Sequence, residues 1–225
     1  VDGSESLADR MADEDEHFKG KRVLDLGCGF GWYCQYAIQH GATSVIGIDI
    51  SPEPIKKAKE EALRRGVQEL TSFLVMDGEN MEFEDNSFDL ITCFGVLHHL
   101  DIEKAYSELA RVLKPSGKII CTEPIVYNPV FQLYRKRTPQ LRTEWEVEHI
   151  SGRKEIKLAE KYFGKLEKKF FHLFTLLAIP FRDTFLFKPI LRFLEIVDSV
   201  ILTIPGIKWL AWQIVFILSS PKKGK

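Results

Sequence analysis

The residues able to do chemistry gather early in the chain. Asp25-x-Gly27-x-Gly29-x-Gly31 sets a carboxylate two residues before three alternating glycines. Glycines at that spacing let the backbone turn sharply and come close to a ligand without a Cβ in the way. A helix starting just beyond aims its unpaired N–H groups at the same turn. A dinucleotide fingerprint requires G-x-G-x-x-G, and Trp32 stands where the third glycine would fall. The acid at the strand end suits an ammonium group better than a pyrophosphate. Asp49 follows at about the distance where nucleoside-binding sheets place an acid for both ribose hydroxyls; the bland alternative is a helix cap. Asp77, at the end of a later apolar run, could accept an exocyclic amine. His98, His99, Glu123, Tyr127 and His149 are the candidates for proton transfer.

These groups need a scaffold, and the hydrophobic pattern predicts one. Residues 23–26 read as a buried parallel strand that breaks into the glycine turn and then a helix at 32–40. A second strand spans 43–50 and ends in Asp49. Ser51-Pro52 opens a helix that closes at Gly66. Strands at 71–76 and 88–94, a helix at 102–113, a turn at 114–117 and a fifth strand at 118–122 follow. Strand and helix alternate throughout, which predicts an α/β doubly wound, mostly parallel sheet with helices on both faces.

Four stretches, DLGCGFG, GIDIS, MDGENMEFEDNSFDLITCFGVLHHL and RVLKPSGKIICTEP, occur in that order. Together they resemble the class I S-adenosyl-L-methionine (SAM) methyltransferases of type 11 over about residues 20–125. The resemblance implies a Rossmann-like sheet of seven strands, SAM as cofactor and S-adenosyl-L-homocysteine as product. It implies that Asp25, Gly27 and Gly29 border the methionine part, Asp49 the ribose and Asp77 the adenine. Phe94 and Gly95 fall at the methionyl end, and Cys28, Ile50 and Gly78 join the same cofactor site. The acceptor does not carry over, because such folds serve many substrates through changed loops.

Beyond residue 124 the pattern departs twice from the bare fold. The first departure, 124–150, is a lid insertion after strand 5 that emerges where ligands of such sheets bind. Many uncharacterised bacterial and archaeal small-molecule methyltransferases carry a similar Glu-Pro…Asn-Pro…Tyr-Arg…Thr-Pro…Arg-Thr…Glu-His string. Here it gives Glu123, Tyr134, Arg135, Arg142 and Glu148 as substrate residues, with Ile150 where a proline commonly follows His149. The segment reads either as a lid over the acceptor or as a structural cover whose charges pair with one another. Ser151 predicts a helix start running to 163, and strands at 165–174 and 212–218 complete the sheet. Between them, the hydrophobic helical insertion 175–209 is the second departure. Its Lys188, Arg192, Glu195 and Ser199 make a narrow polar stripe at helical spacing. No uncharged run approaches the length of a membrane span. It packs on the domain, forms a homodimer, or lies on a membrane flanked by Lys165-Lys168-Lys169 and Lys222-Lys223-Lys225.

Of the 225 residues, 31 are Lys or Arg and 32 Asp or Glu, so the average charge offers no reason for a nucleic-acid partner. The average hides an asymmetry: residues 1–120 hold 13 bases against 22 acids, and residues 121–225 hold 18 against 10. Four cysteines without C-x-x-C spacing predict reduced thiols, no zinc site or other metal, and a cytoplasmic protein, peripheral at the inner face of the membrane if the insertion touches lipid. An acidic start predicts no signal peptide, and Val1 predicts a trimmed or processed beginning. Residues 1–20 read as an arm, helical or disordered, before one methyltransferase domain at 21–225. The expected function is methyl transfer from SAM to a small, hydrophobic or lipid-like acceptor. Two alternatives from the resemblance are a methyltransferase of a soluble metabolite and an inactive SAM-binding scaffold. A nicotinamide oxidoreductase is opposed by Trp32.

Overall fold

The computed structural model describes residues 17–138, 140 and 151–223. Its seven strands form one sheet in the order β3-β2-β1-β4-β5-β7-β6. Strands β1 (Arg22–Leu26), β2 (Ser44–Asp49), β3 (Thr71–Val75), β4 (Phe88–Phe94) and β5 (Leu113–Pro124) run parallel; β7 (Gln213–Pro221) is antiparallel to both β5 and β6 (Phe163–Phe171). The central strands read as near-continuous apolar runs because both faces are covered. One core holds Val23, Val45 and Leu90 against α1 (Trp32–Gln39) and α2 (Pro52–Arg64), through Ala37, Ile55 and Ala58. The other holds Leu24, Ile91 and Ile119 against α3 (Ile102–Val112) and α5 (Arg153–Tyr162), through Leu109 and Ile156. Between them α4 (Pro129–Arg137) follows β5, and α6 (Phe187–Ile201) lies between β6 and β7.

Two local expectations change. The 114–117 turn is a bulge inside β5: Phe88 faces Leu113, and the next pair is Leu90 with Lys118. Lys114 bridges it, its Nζ 2.9 Å from Asp89 Oδ1. The start of α5 is capped at Gly152, whose N–H donates to Glu155 Oε2 at 2.9 Å, and Ser151 is buried ahead of it.

Strand direction decides where the insertions sit. Pro124, the last residue of β5, pairs with Gln213, the first of β7, and Gln213 also pairs with Phe171, the last of β6. The chain therefore leaves β6 and re-enters β7 at the carboxyl edge, beside the end of β5. The second insertion shares the edge that carries the glycine turn.

The same register corrects the basic clusters. Lys165 lies beside Ser219, towards the amino edge, and pairs with Glu167 at 2.7 Å. Lys222 donates to the Glu160 carbonyl, and Lys223 to the carbonyls of Ala110, Arg111 and Leu113. These cations guard an edge strand and cap a helix end. Lys165, Lys222 and Lys223 do not flank the insertion, whereas Lys168 and Lys169 pair with Phe216 and Val215, nearer the carboxyl end of β6. Lys225 lies outside the described residues.

Candidate active site

At the end of β1 the N–H groups of Gly27 and Cys28 both donate to the Ile48 carbonyl, at 2.8 and 2.9 Å, pinning the turn to β2. Gly27 has φ +69°, and a Cβ there would stand 2.5 Å from Val96 Cγ2. Gly29, at φ +49°, has open space where its Cβ would be. Its N–H donates to Asp49 Oδ2 at 3.1 Å, and Ser51 N–H donates to Asp49 Oδ1 at 2.9 Å. Each carboxylate oxygen thus has one partner and capacity for another, the requirement for gripping two neighbouring hydroxyls. Ile50, beside it, is 71 % exposed, and Asp77 is exposed with Oδ1 accepting from Glu79 N–H at 2.8 Å. Met76 N–H donates to the Asp49 carbonyl at 3.1 Å, so the ends of β2 and β3 are tied together. Gly78 is buried, and a Cβ there would meet Leu26 at 2.6 Å.

Asp25 departs from expectation. Its carboxylate does not face open space: it is buried beneath the turn, accepting from Thr92 Oγ1 at 2.7 Å and Cys34 Sγ at 3.4 Å. Burial raises it from 3.8 to about 6; those two hydrogen bonds work against the rise, and the Asp49 charge adds to it. The Cys28 side chain is likewise turned inward, so its backbone is what borders the turn. The Cys34 thiol is pushed well up by its hydrogen bond with Cys28, by burial and by Asp25.

On the other side of β1, Phe94 ends β4 with its ring 3.9 Å from Tyr33, and Gly95 is exposed at φ +64°. Glu123 needs correcting as a substrate residue. It is fully buried: Oε1 accepts from Val96 and Leu97 N–H at 3.0 and 2.8 Å, while Oε2 lies 2.6 Å from His98 Nδ1. A carboxylate only accepts, so His98 Nδ1 carries the proton and Nε2 is left as the basic nitrogen. The His99 ring lies tilted by 36° against that of His98, centroids 4.1 Å apart, and is the more exposed of the two. Among the described residues, no group of three His, Cys, Asp or Glu is placed to hold a metal ion.

The glycine turn and this edge also match known proteins. Residues 24–121 fit the family model described as a methyltransferase domain. Norajmaline N-methyltransferase of Rauvolfia serpentina is 35 % identical over 53 % of this chain and 44 % of its own length. Chloroplastic tocopherol O-methyltransferase of Arabidopsis thaliana is 37 % identical over 49 % of this chain and 32 % of its own. The YcgJ crystal structure from Bacillus subtilis superposes with a TM-score of 0.57 at 23 % identity, covering 92 % of this chain and 93 % of that one.

The chain carries, over residues 24–121, a methyltransferase domain of the class I SAM-dependent type. It spans less than half the length of either curated relative. Methyltransferases of this class take SAM, and the residues here fit it: an open flank at Gly29, spare acceptor capacity on Asp49, and an exposed Ile50 beside Asp77.

The segment after β5 meets the second insertion. Asn128 caps α4, Oδ1 accepting from Val130 and Phe131 N–H, while Nδ2 donates to the Leu210 carbonyl at 2.6 Å. Phe131 stacks on Trp212 at 5.0 Å. Tyr127, counted among the proton-transfer candidates by sequence, also ties this segment to α5 and to Trp209. Its hydroxyl accepts Arg153 N–H at 2.9 Å, and its ring lies edge-on to Trp209 at 5.8 Å. Tyr134 is exposed and Arg135 half-buried on α4. Arg142, Glu148 and His149 lie outside the described residues. Val96, Tyr33, Trp209 and Trp212 escaped the sequence reading, because a packed aromatic or valine carries no spacing signal of its own. Asp198 escaped it too: flanked by Val197 and Ser199, it falls off the polar stripe.

Proposed function

We infer that this chain transfers the methyl group of SAM to a small, hydrophobic or lipid-like acceptor held at the carboxyl edge, in peripheral contact with a membrane. One observation carries the acceptor class: the lid and the apolar insertion leave and return at the edge that holds the glycine turn, and they are joined through Asn128, Phe131 and Tyr127. A relative named for tocopherol supports the reading.

The geometry supports the following roles. Gly27, Gly29, Asp49, Ile50, Asp77 and Gly95 hold the cofactor, with Cys28 and Gly78 contributing backbone. When bound, SAM supplies a sulfonium methyl already primed for in-line attack, so the protein chiefly orients and desolvates. Asp25, beneath the turn, supports it and sets its charge. Glu123 fixes the His98 tautomer so that Nε2 takes the proton from a hydroxyl or amine acceptor as the new bond to carbon forms. Tyr134 and Arg135 on α4 face the acceptor question together with Arg142, Glu148 and His149.

The test is S-adenosylhomocysteine release on adding separated fractions of a cell extract. Release driven by the organic-soluble fraction supports the reading. Release driven only by the aqueous fraction makes the acceptor a soluble metabolite, and none with either fraction leaves a SAM-binding scaffold.

A further inference from the structure

The second insertion is held by one buried carboxylate. Asp198 of α6 accepts from the N–H groups of Leu173, Phe174 and Thr175, at 3.0, 2.8 and 3.2 Å, and from Thr175 Oγ1 at 3.1 Å. That clamp sets which side of α6 faces in. The side facing out is not polar: Phe193, Ile196 and Val200 are 64, 63 and 62 % exposed, and Phe185, just before the helix, is 88 % exposed. Spacings of three and four put the three helical residues on one stripe.

The charges of α6 are sorted the same way. Its cations, Lys188 and Arg192, are exposed, whereas of its acids Glu195 is half-buried and Asp198 is buried in the clamp. An apolar stripe with two exposed cations beside it and one acid buried in the clamp suits an anionic, apolar-cored partner. No described helix is long and apolar enough to cross a membrane. We propose that this face of α6 docks on an anionic lipid bilayer, with Phe185, Phe193, Ile196 and Val200 entering the headgroup boundary and Lys188 and Arg192 meeting lipid phosphates. The inference deepens the lipid-like-acceptor reading and rests on it for why the enzyme visits a membrane. The docking itself is measurable without turnover.

The experiment is co-sedimentation of the full chain with phosphatidylcholine vesicles, with and without phosphatidylglycerol, across a salt series. Lys188→Glu/Arg192→Glu and Phe193→Ser/Ile196→Ser are compared with the parent, and unchanged SAM affinity certifies that each variant is folded. Binding that needs phosphatidylglycerol, fades with salt and drops by about tenfold or more in either variant supports docking. Equal binding by parent and variants overturns it, as does a stable dimer that ignores both vesicles and is broken by Phe193→Ser/Ile196→Ser. A chain that ignores vesicles yet methylates a detergent-dispersed hydrophobic acceptor refutes docking and leaves the proposed function standing; vesicle binding without turnover does the reverse.

Discussion

At the carboxyl ends of β1, β2 and β3 stand a half-buried Asp49, an exposed Asp77, an open glycine backbone, and the exposed side chains of Phe30, Trp32, Ile50 and Val75. Along the same edge, beyond β5, the exposed groups are phenylalanines, aliphatics, lysines and arginines. Both regions use a buried acid to hold their shape, in different ways. Glu123 and Asp198 each gather backbone N–H groups from a neighbouring turn, which keeps a buried carboxylate satisfied. Asp25 has a hydroxyl and a thiol for partners, and burial pushes its carboxyl up to about 6 against those two hydrogen bonds. The contrast separates the proposed cofactor edge, built on strand ends and a glycine turn, from the proposed acceptor edge, built of side chains on inserted helices. The family model covers the first and ends at residue 121, before the second.

The comparison can be broken in several ways. The largest expected effect is on turnover. His98→Ala should lower kcat by about a hundredfold or more, the usual worth of a positioned base, with SAM affinity kept. Glu123→Gln should follow it, with a changed pH–rate profile. Steady-state kinetics with calorimetry separates the two quantities, and equal loss of both would move this pair from chemistry to scaffolding.

Next is the pH dependence set by Asp25. Its folded pKa, about 6, lies above its ordinary 3.8. The folded state therefore binds the proton more tightly, and stability is fullest below about pH 4 and falls as pH rises through 6. The loss amounts to about 3 kcal/mol. Asp25→Asn should flatten that slope in urea titrations run across the window; an unchanged slope assigns it to other groups.

Asp49→Ala should weaken SAM binding at least about tenfold, since a charge-assisted hydrogen bond contributes about 1.5–3 kcal/mol. Unaltered calorimetric affinity would remove the ribose assignment. Arg135→Ala, the smallest effect, should leave SAM affinity alone and lower turnover severalfold. Parallel loss of both would place α4 in the cofactor edge.

Most of the sheet could be read from sequence because parallel strands buried on both faces are continuous apolar runs, as at 23–26 and 88–94. The glycine turn and Asp49 were legible because a backbone that must approach a ligand restricts residue type. The burial of Glu123 was not, since a strand-end acid looks the same whether it meets substrate or caps a neighbouring turn. Nor was the fate of Lys165, Lys222 and Lys223: sequence shows that they flank strands, but antiparallel pairing decides at which edge. The joining of lid and insertion through Asn128 and Leu210 is a contact between segments far apart in the chain, which no local pattern encodes.

The most direct test of the central claim is the product formed from methyl-deuterated SAM in a whole-cell extract, partitioned between organic and aqueous phases and read by mass spectrometry. The account predicts a deuteromethyl-shifted species in the organic phase that disappears with His98→Ala. Label found only in an aqueous product would contradict it.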